Sequence, residues 1–155
     1  MTKLTIAPLE IEAALEVKDT CLSKHLRKAD RVIMQLYDDA LRPHGLKSTQ
    51  FTLLIAIRLR QPVNQKTLAE ATATDRTTLT RNLASLERQG LIQLQPGKDR
   101  RVREISLTPE GHQRLTEAYP SWKKTQTQTE KLLGKVNVGQ LLSDLNEIAA
   151  KVEAI

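Results

Sequence analysis

Between Asn64 and Thr108 the chain reads NQKTLAEATATDRTTLTRNLASLERQGLIQLQPGKDRRVREISLT, and inside it the apolar pattern changes from helical spacing to strand alternation. The helix before that change, about Asp75 to Gln89, constrains the chain most. At about 100° per residue, Leu79, Leu83 and Leu86 fall within roughly 60° of one another and form one narrow stripe for burial. Thr77, Arg81, Ala84 and Arg88 project from the opposite side, flanked by Thr78, Thr80 and Ser85. A face that is merely solvated mixes glutamate with lysine, whereas Arg76 to Ser85 contains two arginines and no acid. Small side chains let a helix approach base edges closely, hydroxyls donate or accept, and arginine matches guanine's paired acceptors or a phosphate. The outer face therefore suits a reader of the DNA major groove.

Its neighbours complete a pattern. Asn64 is suited to cap a short helix whose Leu68 and Ala69 can pack on Leu79 and Leu83, with Thr72 to Thr74 as the corner. Gly90 suits a left-handed helix end. Leu91 to Leu94 and Val102 to Leu107 then alternate as strands around a tight turn, Gln95 to Arg101, crowded with cations. Two helices and a basic hairpin make a winged helix-turn-helix. Its wing would lie on phosphates or in a narrow minor groove. The expected DNA-contacting set is Arg76, Thr77, Thr78, Arg81 and Ser85 on the helix, with Lys98, Arg100, Arg101 and Arg103 on the wing.

The flanks read as helix. Apolar residues from Leu15 to Ala40, including Leu22, Leu26, Ile33 and Leu36, recur mostly at spacings of three or four, so the first 42 residues are expected to be helical until Arg42-Pro43-His44-Gly45 stops them. Ser48 is expected to cap an apolar helix, Thr49 to Leu59. Thr108 caps a long helix running to about Gly134, with a kink near Tyr119 imposed by Pro120. Asn137 caps a last helix whose apolar face is Leu141, Leu142, Leu145, Ile148, Ala149 and Val152. The first, long fifth and last helices carry more apolar stripe than one small winged domain can cover. The expected architecture is thus mainly α with a small β-wing, a winged helix-turn-helix at 47–108 and a helical dimerisation body from 1–46 and 109–155, in an intertwined homodimer. Two symmetric reading helices about 34 Å apart would meet successive major grooves of a pseudo-palindromic operator.

The run LAEATATDRTTLTRNLASLERQGLI, followed by DRR and SLTPEGHQRL, resembles the MarR family of bacterial transcriptional regulators, and YDDALRPHGLKSTQFTLLIAI extends the resemblance toward the N-terminus. The resemblance implies an obligate homodimer with a winged helix at each side, acting as a repressor on double-stranded DNA. It implies that Asp99 orients an arginine and Arg101 belongs to the wing motif, and that Arg76, Thr77, Thr78 and Arg81 lie where family members touch DNA.

Composition agrees: the 155-residue chain carries a net charge of +6, which favours a polyanionic partner, and 39% hydrophobic residues, enough for one core. No signal-like run and no stretch long enough to span a bilayer is present, and a single cysteine fits the reducing bacterial cytoplasm. There is no phosphate loop, metal-helix motif or nucleophile elbow, so neither catalysis nor a cofactor or metal is expected. The alternative to DNA reading is a helical homodimer that uses its winged helix to grip another protein.

Two sensor readings stay open. Lys18, Lys24 and His25 lie three or four residues from Cys21, a helical spacing that would surround its thiol with positive charge and favour the reactive thiolate. Some redox-sensing family members carry one reactive cysteine early in the first helix. A buried, inert cysteine accounts for the residue equally. The second sensor is a pocket for a small aromatic or phenolic ligand walled by Tyr37, His44, Phe51 and Leu54, each equally explicable as core packing.

Overall fold

The computed structural model describes residues 8–72, 74–97 and 102–154, and the chain divides into two compact units, Met1–Gln35 and Leu36–Ile155. The first contains α1 (Ile11–Thr20) and most of α2 (Leu22–Leu41). The expected single N-terminal helix is interrupted at Cys21, which is extended at φ −66°, ψ 104°. At the break a side chain takes the Lys18 carbonyl, which in a continuous helix would accept the Leu22 N–H. The Thr20 hydroxyl donates to the Glu16 carbonyl at 2.8 Å, and Lys24 Nζ donates to the Lys18 carbonyl at 2.5 Å. No residue of α1 is buried.

The second unit holds the core. After Leu41, the 3-10 turn Arg42–His44 ends at Gly45, whose φ of 69° is the left-handed conformation that glycine adopts without a Cβ clash. α3 (Ser48–Arg60) follows, beginning at the expected cap residue itself, one position earlier than the expected Thr49, with Lys47 as the cap. Ser48 is inside the helix because the Asp38 carboxylate accepts both its backbone N–H and its hydroxyl at 2.7 Å, while Gln50 Oε1 accepts the Lys47 N–H at 3.0 Å. α3 packs on α4, β3 and α6 and buries Phe51, Leu53, Leu54, Ala56 and Ile57, which is why it is apolar almost all round.

Next come β1 (Val63–Asn64), α4 (Gln65–Thr72), α5 (Arg76–Arg88), β2 (Ile92–Pro96) and β3 (Arg103–Leu107). The strands form an antiparallel sheet in the order β1-β3-β2, with Val63 opposite Ile105 and Leu94 opposite Ile105 on the other side. The hairpin is the expected wing, with β2 reaching Pro96. The third strand was not expected: two residues carry no readable period, and only pairing with β3 defines them.

α6 (Pro109–Leu133) begins at Thr108, whose side chain accepts the Gly111 N–H at 3.0 Å, and continues through Pro120. α7 (Val138–Glu153) begins at Asn137, which accepts the Gln140 N–H at 3.0 Å. Leu41, Leu54, Ile57, Leu68, Leu79, Leu86, Leu91 and Ile105 are fully buried together, so the core lies beneath the helix pair and the wing. Gly111 allows α6 to meet this lobe: a Cβ there would stand 2.0 Å from the Leu91 carbonyl oxygen.

Candidate nucleic-acid interface

The outer face of α5 is held by what lies beneath it. Leu79, Leu83 and Leu86 are the buried residues of the helix, each contributing about 1.5–3 kcal/mol by removal from water. Fixing that stripe fixes the opposite one: Thr77, Arg81, Ala84 and Arg88 are exposed, Thr78 and Ser85 are half-buried at its flank, and Arg76 is exposed at the start of the helix. Both helices start on side-chain caps. Asn64 Oδ1 accepts the Thr67 N–H and Asp75 Oδ1 the Thr78 N–H, each at 2.9 Å. Hydrogen bonds from Thr78, and more weakly the Arg81 charge, hold the Asp75 carboxyl below its ordinary 3.8. α4 is also tied to α5 on the surface, where Gln65 Nε2 donates to the Thr80 hydroxyl at 2.7 Å.

A cleft of about 480 Å³ opens between this helix pair and the wing, floored by Leu94, Val102 and Ile105 and edged by Lys66, Arg76 and Arg103. A second hollow of about 370 Å³, lined by Lys66, Glu70 and Arg76 among others, lies along α4. Arg103, at the base of the wing, and Arg76, at the start of α5, are thus brought to one surface from positions 27 apart in sequence. Lys66 joins them and was missed by sequence reading. Its only signal was its place beside the α4 cap, which says nothing about a wing far along the chain. Lys98, Arg100 and Arg101, with Asp99, lie outside the described residues.

Ser85 differs from its neighbours. Its hydroxyl oxygen accepts from Gln50 Nε2 at 3.2 Å and from Gln89 Nε2 at 3.4 Å, so it is linked to α3 while lying at the edge of the outer face.

The sensor candidates are placed differently from the sequence picture. Because the helix breaks at Cys21, Lys18 lies on α1 while Lys24 and His25 lie in the first turn of α2. Lys24 is bonded to the Lys18 carbonyl, His25 Nδ1 lies 2.9 Å from the Cys21 carbonyl oxygen, and Lys18 Nζ is 3.8 Å from Asp19. The thiol is half-buried. Phe51 and Leu54 are closed within the core, with Phe51 stacked on Trp122 at a centroid distance of 6.1 Å. Tyr37 donates to Gln126, and His44 Nε2 lies 2.9 Å from the Ser121 hydroxyl oxygen. The four candidates therefore divide between the core and its hydrogen-bonded rim along α6. Among the described residues, no group of three or more histidine, cysteine or carboxylate side chains is arranged to hold a metal, and no helix is long and apolar enough to cross a membrane.

A capped helix pair, a three-stranded sheet and a basic cleft between them define a winged helix-turn-helix protein. A family profile described as MarR family matches residues 44–102, the stretch that builds this surface. The HTH-type transcriptional regulator SarZ of Staphylococcus epidermidis is 34% identical over 100 residues, covering 61% of this chain and 68% of that protein. YwoH of Bacillus subtilis, an HTH-type transcriptional regulator, is 29% identical over 96 residues, covering 62% of this chain and 70% of its own length. Among solved structures, the M. tuberculosis transcriptional regulator MosR in complex with DNA matches at TM-score 0.79 and 36% identity, over 86% of this chain and 97% of that one. The transcriptional repressor CouR bound to a 23-mer DNA duplex matches at TM-score 0.77 and 26% identity, over 92% and 99%. The chain belongs to the MarR family of winged helix-turn-helix transcriptional regulators.

Proposed function

We propose that the protein is a cytoplasmic homodimeric repressor that reads a pseudo-palindromic site in duplex DNA with α5 and grips the flanking backbone with its wing. The observation that carries this reading is the exposed, acid-free face of α5 set beside the Lys66, Arg76 and Arg103 cleft. Arginines on a helix face backed by cations at its edge supply both base-edge recognition and phosphate attraction. The two DNA-bound relatives support it, and the protein-gripping alternative has no observation in its favour. Arg76, Thr77, Thr78, Arg81 and Ser85 are assigned to the groove; Arg103, with Lys66 and the wing cations Lys98, Arg100 and Arg101, to the backbone.

Dimerisation belongs to the terminal helices, 1–46 and 109–155. α7 exposes Leu142, Leu145, Ile148 and Val152, an apolar face of the kind a second copy covers. Two half-sites can then be bound only at one spacing, so any effector that changes the spacing releases the DNA.

The test is selection of a preferred duplex from a random pool, followed by titration of wild type and Arg81→Ala. Arg81→Ala should weaken binding by about 1–3 kcal/mol and flatten the sequence preference. Unchanged affinity would remove α5 from the groove.

A further inference from the structure

Gln50 is a carboxamide only 8% exposed on a helix whose buried residues are, Ser48 apart, otherwise apolar, and its orientation is unambiguous. The Lys47 N–H can only donate, so the atom facing it at 3.0 Å is the amide oxygen, and the amide nitrogen faces Ser85 Oγ at 3.2 Å. Gln89 Nε2 approaches the same oxygen at 3.4 Å. With the Gln50 donor aimed at Oγ, the hydroxyl proton points in another direction, toward solvent and the exposed Gln89 carboxamide. That direction lies at the edge of the reading face: on a helical projection Ser85 falls about 40° from Arg81 and about 20° from Thr78.

The geometry points to Gln50 as a positioning residue that turns Ser85 into an obligate hydrogen-bond donor toward DNA. The order is Lys47 N–H to Gln50 C=O, Gln50 N–H to Ser85 Oγ, and Ser85 O–H outward, each link polarising the next. A free serine hydroxyl accepts or donates with equal ease. One held in this way donates to a phosphate oxygen or a base acceptor, such as purine N7, and discriminates against exocyclic amino groups. This rests on the assignment of α5 to the groove.

The experiment is a double-mutant cycle on the full-length protein, titrated with the selected duplex, with Arg81→Ala alongside and thermal melting of every variant. Gln50→Met keeps the side chain's length and removes both polar contacts. Gln50→Glu keeps the shape but replaces the donor facing Ser85 with an acceptor, turning the hydroxyl inward. Ser85→Ala and Gln50→Met should each weaken binding roughly tenfold, and together roughly tenfold rather than a hundredfold, because both remove one donor. Gln50→Glu should lose most of its effect in the Ser85→Ala background; a simple charge effect would persist there. Effects of Ser85 and Gln50 substitution that multiply, or a Gln50→Met protein that binds like wild type while Arg81→Ala is impaired, would overturn the relay and leave the reading helix in place. Normal binding by Arg81→Ala and Ser85→Ala together would overturn both.

Discussion

α5 and α7 are both short amphipathic helices with leucines at helical spacing and a side-chain cap, yet they end in opposite surroundings. In α5 the stripe is closed: Leu79 and Leu86 are 0% and Leu83 is 5% exposed. In α7 the corresponding residues stand open, with Leu142 at 54% and Val152 at 64% exposure. Periodicity announces that a face will be buried. It does not say by what. For α5 the covering surface comes from the same chain, through β2 and the shared core cluster; for α7 we assign it to the second copy. On that assignment the stripe of α5 is closed within one chain, while the distance between two winged lobes is set where two chains meet.

The comparison can be broken first in the core. Leu79→Ala should cost about 2–5 kcal/mol in urea unfolding, because the cavity under α5 is bounded by packed neighbours. A loss as small as that of a surface substitution would deny that the α5 stripe is the lobe's foundation. Next, Leu145→Asp with Ile148→Asp should raise the dimer dissociation constant at least roughly a hundredfold in sedimentation while leaving the helix content of the lobe unchanged. An unaltered dimer would place the interface on another surface.

Arg103→Ala separates the wing's role from that of the helix. Unlike Arg81→Ala, it should weaken all duplexes alike and reduce the slope of log affinity against log salt by about 0.9. The smallest effect is expected at the start of α5. Asp75 has its carboxyl held below 3.8 by Thr78, so its cap is fully formed above that value and is lost as pH falls through the lower, folded value. Asp75→Asn, which keeps a cap acceptor, should melt close to wild type at neutral pH and lack that acid-dependent component; identical acid sensitivity of the two proteins would remove Asp75 as its source.

Much of the surface was legible because its signals are local. Asn64, Asp75, Thr108 and Asn137 cap helices through N–H groups three residues away, and a cap needs no distant partner. The inward stripe and outward face of α5 follow from a rotation of about 100° per residue. The start of α3 was misplaced by one residue because the acceptor that fixes Ser48 is Asp38, ten positions back. The N-terminal helix was read as unbroken because apolar spacing is blind to the Lys24 side chain, which takes the carbonyl of Lys18.

By itself the sequence determined which segments of the winged lobe are its helices and the two strands of its wing, which face of α5 turns inward, and that the opposite face of α5 carries arginine and hydroxyls without acid. Those properties depend on backbone geometry repeating every few residues. Only the tertiary structure decided that Val63–Asn64 joins the sheet, that Lys66 and Arg103 meet Arg76 at one cleft, and that Gln50 on α3 holds the hydroxyl of Ser85 on α5. Each joins residues dozens of positions apart or defines an element too short to have a period, and such pairings exist only once the core has brought the elements together.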